Sequence, residues 1–250
     1  MEAEGGQDPI QVADLHKSFG AQTVLNGIRL EVREGETVAV MGRSGTGKTV
    51  LLKLLIGLEP PDSGLVRIRG REIRKLGVNE LNEVRKKIGF LFQQAALYDS
   101  LTIEQNVMFP MRRHSRTPLD EQKRRARELL TSVGMEKDFD KLPSQISGGM
   151  PKRVGLARAL ALDPEILLFD EPTSGLDPIT GAEIANLILD LKKKRRMTAV
   201  VVTHDIHGAR AFADRAVLMD KGEIVAEGDF GELQKSKDAF VTQFLRDGVR

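Results

Sequence analysis

The sequence predicts an α/β fold: a mostly parallel, covered sheet with an N-terminal antiparallel β region and an inserted helical subdomain. Three observations predict it. Short β-branched runs alternate with helical patterns after Thr37 and again after Pro164, the arrangement that builds a parallel sheet flanked by helices. Apolar–polar alternation near the N-terminus and after Asp214 reads as antiparallel material. Between these parts, Thr102 to Gly134 is helix-like and heavily charged. At 250 residues the chain has room for one domain or two.

The elements follow in order. Ile10 to Leu15 alternates, as does Val24 to Val32 around Gly27, and Gly35 marks a turn. Thr37 to Met41 is a short β-branched run suited to a strand buried on both faces. Helical spacing begins at Gly47, runs through Leu51, Leu52, Leu54 and Leu55 to Gly57, and is stopped by Pro60 and Pro61. Leu65 to Arg69 and Ile88 to Phe92 read as further strands. In the charged middle, residues 112–127 hold seven Arg/Lys against two acids, which reads first as a solvated helical face. Strands are expected at Ile166–Phe169 and Thr198–Val202, and helices at Ile179–Leu191 and Ile206–Phe212. Arg215–Met219 and Glu223–Glu227 read as a hairpin joined by Asp220-Lys221-Gly222. Lys235 to Arg250 reads as a helix with Phe240, Phe244 and Leu245 on one side, packed on the body.

Composition narrows the function classes. With 38 Lys+Arg against 36 Asp+Glu the net charge is only +2, which argues against a nucleic-acid binder held by bulk charge. No cysteine is present, so disulfides, Cys-ligated zinc, iron–sulfur clusters and a Cys nucleophile are excluded. Met1 to Asp8 is Gly- and acid-rich and unlike a signal peptide, and cytosolic placement is expected. A membrane span needs ~18 consecutive apolar residues. The best run, Val50 to Leu58, is shorter and contains Lys53, so the chain is not expected to cross a bilayer by itself.

Gly42-Arg43-Ser44-Gly45-Thr46-Gly47-Lys48-Thr49 matches G-x-x-x-x-G-K-[ST] between a buried strand and a helix, with Val50 continuing the helix. Such a loop turns successive N–H groups toward phosphate oxygens, and the helix start adds its positive end. Lys48 can reach the β- and γ-phosphates and the Thr49 hydroxyl can ligate Mg²⁺. The apolar run Ile166 to Phe169 ends in Asp170-Glu171. Alone, that pair reads as helix-capping acids. Beside a phosphate loop, Asp170 reads as a metal partner and Glu171 as the general base toward an attacking water. His204 follows the strand Thr198–Val202 and can sense a γ-phosphate, although by itself it is an ordinary helix-start histidine. Gln93, after Ile88–Phe92, can ligate metal or position water. Phe19 can stack on a base, though alone it reads as a core residue.

Ile146-Ser147-Gly148-Gly149-Met150, whose Met150 stands 20 residues before Asp170, resembles the LSGGQ signature of ATP-binding-cassette (ABC) ATPases. Ser174-Gly175-Leu176-Asp177 resembles that family's D-loop, and the order phosphate loop, Gln, signature, acid pair, D-loop, His is the family's. The resemblance covers about residues 9–235. It implies a P-loop NTPase cassette with a RecA-like core (9–94 and 162–235), a helical subdomain carrying the signature (95–161) and a C-terminal tail (236–250). It implies an ATPase that uses ATP and Mg²⁺. Phe19 would stack on adenine and Gly42 to Val50 would wrap the nucleotide. Thr49, Gln93 and Asp170 would surround Mg²⁺. Glu171, His204, Gln93 and Lys48 would serve hydrolysis, and Ser147, Gly148, Gly149, Met150 and Asp177 would meet ATP held by the other copy. A head-to-tail dimer follows, riding on integral membrane permease subunits at the cytoplasmic face of the inner membrane.

Two signature positions depart from the family, Ile146 for Leu and Met150 for Gln. The second removes an amide, which puts a polar role for that side chain in doubt. Ser147 to Ala159 followed by Asp177-Pro178-Ile179-Thr180, and Gln94 to Thr102, resemble the Mla/Mce group of phospholipid (toluene-tolerance) transport ATPases. That resemblance implies lipid as cargo and an Mce-type lipid-binding subunit as a further partner, with no nucleic acid. Uptake of a polar solute such as an amino acid shares the whole core and is the alternative. A soluble ABC ATPase of translation or DNA repair is the third reading, disfavoured by a single cassette of this length.

Overall fold

The computed structural model describes residues 8–195 and 197–247. Met1 to Gln7, and the tail from Gly248 to Arg250, lie outside the described residues. The chain begins with a long hairpin, β1 (Ile10–Phe19) and β2 (Gln22–Val32), and continues into β3 (Thr37–Gly42) and α1 (Lys48–Leu55). Then come β4 (Ser63–Ile68), the short β5 (Arg71–Glu72), α2 (Val78–Lys86) and β6 (Ile88–Leu91). Three helices follow in succession: α3 (Ile103–His114), α4 (Leu119–Ser132) and α5 (Met150–Ala159). The α/β alternation resumes with β7 (Ile166–Asp170), α6 (Pro178–Arg195), β8 (Thr198–Thr203) and α7 (Ile206–Phe212). A hairpin of β9 (Arg215–Asp220) and β10 (Glu223–Gly228) leads to α8 (Phe230–Gln234) and α9 (Ala239–Asp247).

Two sheets result. The antiparallel one has the order β2-β1-β4-β5. The larger has the order β10-β9-β3-β8-β7-β6, parallel except for the β9–β10 pair. Strands β3, β7 and β8 are buried at every residue because both faces of this sheet are covered. Val38, Val40, Leu168, Val200 and Val202 face a core shared with α1 and the antiparallel sheet. Their neighbours Ala39, Met41, Phe169, Ala199 and Val201 face a second core, shared with α3 to α9.

The charged middle is two helices rather than one pattern. Thr102 opens α3 with a reciprocal cap, its hydroxyl accepting from the Gln105 N–H while the Gln105 side chain accepts from the Thr102 N–H. The break falls before Pro118, which disfavours helical backbone in the residue preceding it. Several of the basic residues are locally paired: Arg124 with Glu121 and Glu128, Arg127 with Glu104, Arg125 with Asp163. The C-terminal helix starts at Ala239 rather than Lys235, because the Asp238 carboxylate accepts from the Val241 N–H and caps it there. Val241 and Leu245 are buried, and Phe240 and Phe244 pack beside them.

The two sheets are also sewn together. The Asn26 N–H of β2 donates to the Gly222 carbonyl at 2.8 Å, and its side chain to Glu223 at 2.6 Å. Gly222, at φ +83°, touches the Val24 backbone so closely that a Cβ there would sit 2.6 Å from the Val24 carbonyl.

Candidate active site

The parallel strands β3, β8, β7 and β6 end on one edge, so their following loops converge, as ligand-binding loops do in open α/β sheets. This edge carries the 42–49 loop after β3, His204 after β8, Asp170-Glu171 at the end of β7 and Gln93 after β6. A cleft of about 300 Å³ opens there, lined by Ser44, Gly45, Lys48, Thr49, Gln93 and Glu171, among others.

Gly47 caps α1 in left-handed backbone at φ +97°, and a Cβ there would come within 2.8 Å of the Val24 carbonyl. Only glycine lets the loop turn into the helix under β2. Lys48 lies back along the loop, its ammonium donating to the carbonyls of Gly42 (2.8 Å) and Arg43 (2.9 Å). Burial pushes this amine below its ordinary pKa, while Glu171 and Asp170 pull it back up. The Thr46 hydroxyl braces the loop by donating to the Arg43 carbonyl at 2.9 Å. The Arg43 guanidinium lies 5.7 Å from the centre of the Phe240 ring, placing this loop side chain against α9.

Thr49 on α1 donates its hydroxyl to the Asp170 carboxylate at 2.9 Å. Burial pushes the Asp170 carboxyl up from its ordinary range, opposed by that bond. The donors of Thr49, Asp170 and Gln93 include a hydroxyl, a carboxylate and an amide oxygen, the types a hard cation such as Mg²⁺ takes. Among the described residues no cluster of three or more His, Cys, Asp or Glu could hold a metal.

Glu171 has φ +49°, uncommon for a residue with a side chain, and its N–H donates to the Val202 carbonyl at 2.8 Å. Its carboxylate lies 2.8 Å from Nδ1 of His204, whose ring is largely exposed. The acid pair therefore does not cap a helix. Phe19, at the tip of the first hairpin, is 46% exposed with the Lys17 ammonium 5.0 Å from its ring centre, so it is not a core residue.

Ser147 and Gly148 form an exposed turn before α5, away from the phosphate-loop cleft. Gly149 is buried against Thr180 of α6. Met150 packs onto the second core, consistent with an apolar side chain replacing the amide. Asp177 caps α6, accepting from the N–H groups of Ile179 and Thr180 and the Thr180 hydroxyl (2.6 Å). These bonds hold its carboxyl below the usual range. The structure thus gathers the phosphate loop, Gln93, Asp170, Glu171 and His204, and leaves the signature and Asp177 outside that cleft.

Two features escape a reading of the motifs. Val24 of β2 lines the cleft. Lys152 of α5 is buried beneath it, with its ammonium on the carbonyls of Gln93 and Glu171. A second, larger groove of about 590 Å³ runs between the β6 edge and α3, with Phe90, Phe92, Tyr98, Phe109 and Pro110 in its wall. The Tyr98 and Phe109 rings lie 4.4 Å apart, and Asn106 pins the intervening loop through the Tyr98 backbone.

Residues 25–174 match the ABC transporter family. The methionine import ATP-binding protein of Mesorhizobium japonicum is 40% identical over 99% of this chain and 67% of its own length. The intermembrane phospholipid transport ATP-binding protein MlaF of Haemophilus influenzae is 39% identical over 96% of this chain and 91% of its own. Among solved structures, a dimeric ATP-binding cassette in a post-hydrolysis state bound to ADP and Pi superposes with a TM-score of 0.82 at 36% identity. The match covers 88% of this chain and 98% of that one. The fold is that cassette fold, and the chain belongs to the ABC transporter family as an ATP-hydrolysing subunit.

Proposed function

We propose that this chain is the motor of a transporter that moves phospholipid or a related lipid, acting as a head-to-tail dimer beneath a separate membrane permease. The observation that carries the hydrolytic part is the convergence of Lys48, Thr49, Gln93, Asp170, Glu171 and His204 on one sheet edge. Phe19 stacks on adenine, and Gly42 to Val50 wrap the phosphates. Thr49, Gln93 and Asp170 hold Mg²⁺, which neutralises phosphate charge when bound. Lys48 leaves its loop carbonyls for the β- and γ-phosphates. Glu171 accepts a proton from water as the water oxygen bonds to the γ-phosphorus and the bond to the β–γ bridging oxygen breaks, giving ADP and phosphate. His204, bonded to Glu171, orients that carboxylate and meets the γ-phosphate.

The exposed Ser147-Gly148 turn supports the dimer, because it opens α5 away from its own phosphate loop. On this reading Ser147 to Met150 and Asp177 face nucleotide on the second copy, Met150 through its backbone. The chain divides into a core (9–94 and 162–235), an arm (95–161) and a tail from 236. The groove beside Tyr98 to Met111, walled by aromatic rings and by Arg85, Lys86 and Arg158, receives a permease segment, with the chain at the cytoplasmic membrane face. No helix among the described residues is long and apolar enough to span a bilayer. Met150 and the 94–102 segment support lipid cargo and an Mce-type partner. Methionine or another polar solute is the second reading, favoured by the equal likeness to the methionine import protein.

The test has two parts. Glu171→Gln should abolish phosphate release by about 10²–10⁴-fold while ATP still binds. Wild-type turnover in that variant overturns the base assignment. Isolation of the assembled complex in detergent should recover phospholipid with a lipid-binding subunit. Recovery of a solute-binding protein instead overturns the lipid reading.

A further inference from the structure

Helix α5 begins at the signature turn and passes beneath the loop that follows β6. Lys152, Gly155 and Arg158 lie along it at helical spacing, and all three meet that loop. Lys152 is only 6% exposed, and its ammonium donates to the Gln93 carbonyl and, at 2.9 Å, to the Glu171 carbonyl. Gly155 packs so closely that a Cβ would lie 3.2 Å from the Ala95 Cβ. The Arg158 guanidinium donates to the carbonyls of Ala95 and, at 2.7 Å, of Ala96. Ala95 and Ala96 both have left-handed backbone (φ +58° and +46°), a conformation that persists only when its surroundings hold it.

The two carbonyls on Lys152 come from different strands. The last pair of the β6–β7 ladder is Leu91 with Phe169, so Gln93 and Glu171 each stand two residues beyond it. No β6–β7 ladder bond fixes their separation. We propose that Lys152 is a positioning residue for ATP hydrolysis, clamping the backbones of Gln93 and Glu171 so that the metal-side amide and the general base keep a fixed separation. An ammonium suits this task because it carries three donors on one atom and can bridge two strand ends from a single side. Burial pushes its pKa down, and the carboxylates of Asp170 and Glu171 pull it up, so their charge supports the clamp. Because Lys152 lies two residues after Met150, the clamp also joins the cleft of this copy to the turn that faces the second copy.

This inference rests on the roles proposed for Gln93 and Glu171, so Glu171→Gln is assayed beside it. The full-length chain is compared as wild type, Lys152→Met and Lys152→Arg. Phosphate release is measured against ATP and against Mg²⁺, with nucleotide affinity from a fluorescent ATP analogue and folding from thermal melting. A small displacement of reacting groups costs about a hundredfold in rate. Lys152→Met, which keeps length but no donor, should lower kcat by about that factor and raise the half-saturating Mg²⁺ concentration. Affinity for the analogue without Mg²⁺ should be unchanged. Lys152→Arg should recover part of the rate. The proposal is overturned if Lys152→Met keeps wild-type kcat and Mg²⁺ dependence. It is equally overturned if the rate falls only in step with the folded fraction while Mg²⁺ dependence stays the same. Unimpaired Glu171→Gln would remove the base assignment, an outcome separable from either result at Lys152.

Discussion

Gly149→Ala gives a sharp test of how the signature turn is seated. A methyl at this position would approach the Thr180 methyl closer than 3.0 Å, a separation that real side chains do not show. Thr180 cannot turn away freely, because its hydroxyl donates to the Asp177 carboxylate at 2.6 Å and fixes the rotamer. The overlap must be relieved by shifting α5 against α6, and overpacking of this kind costs about 1–3 kcal/mol. For a chain of this length each kcal/mol lowers Tm by about 2–4 °C. The remedy is Thr180→Ser, which removes the methyl and keeps the hydroxyl. Urea unfolding of Gly149→Ala, Thr180→Ser and the double variant forms a cycle that isolates the pair. Gly149→Ala should lose about 1–3 kcal/mol, and the double variant should return to within about 0.5 kcal/mol of Thr180→Ser. A stable Gly149→Ala, or a double variant as weak as the single one, refutes the account of a turn seated on Thr180.

Two further outcomes follow from the structure. Glu165 is ion-paired with Arg69 and Lys87 at 2.9 Å each, and Lys87 chiefly holds its carboxyl below the usual carboxylate range. A depressed carboxylate contributes stability above its unfolded value and loses it as pH falls through the folded one. The gap between wild type and Glu165→Gln in urea unfolding should therefore be present at pH 7 and close below about pH 4.5. Because the group is well exposed, the gap should be under about 1 kcal/mol; a gap that widens in acid contradicts the pairing. Phe19→Ala should raise KM for ATP about tenfold and for GTP similarly, since aromatic stacking tolerates any base. An unchanged KM places adenine elsewhere.

The phosphate loop is legible in the sequence because its chemistry is local. Eight consecutive residues supply the turn, the lysine and the hydroxyl, and the flanking strand and helix declare themselves by apolar spacing. The Glu171–His204 bond is legible only as two separate motifs. It becomes one device because β7 pairs with β8 with Asp170 opposite Val202, a register no short pattern encodes. Helix α2 carries too little apolar signal, with Leu81 and Val84 alone turned inward and Val78 76% exposed. Helix α8 spans only five residues and offers no period to read. Lys152 is hidden for a different reason. Lysine in a charged helix reads as solvent-facing, and only the loop folded over α5 buries it.

The stitch between β2 and the β9–β10 turn bears on how this cassette can be engineered. The tip of a tight hairpin is ordinarily a tolerant place for an epitope, a fluorescent label or new termini. Here the backbone of Gly222 is hydrogen-bonded to Asn26 and pressed on the Val24 carbonyl, which Gly47 of the phosphate loop also approaches. A peptide spliced between Lys221 and Gly222 would pry the antiparallel sheet from the nucleotide cleft. Reporters and permuted ends belong elsewhere on this molecule, and natural length variation should be scarce at this turn.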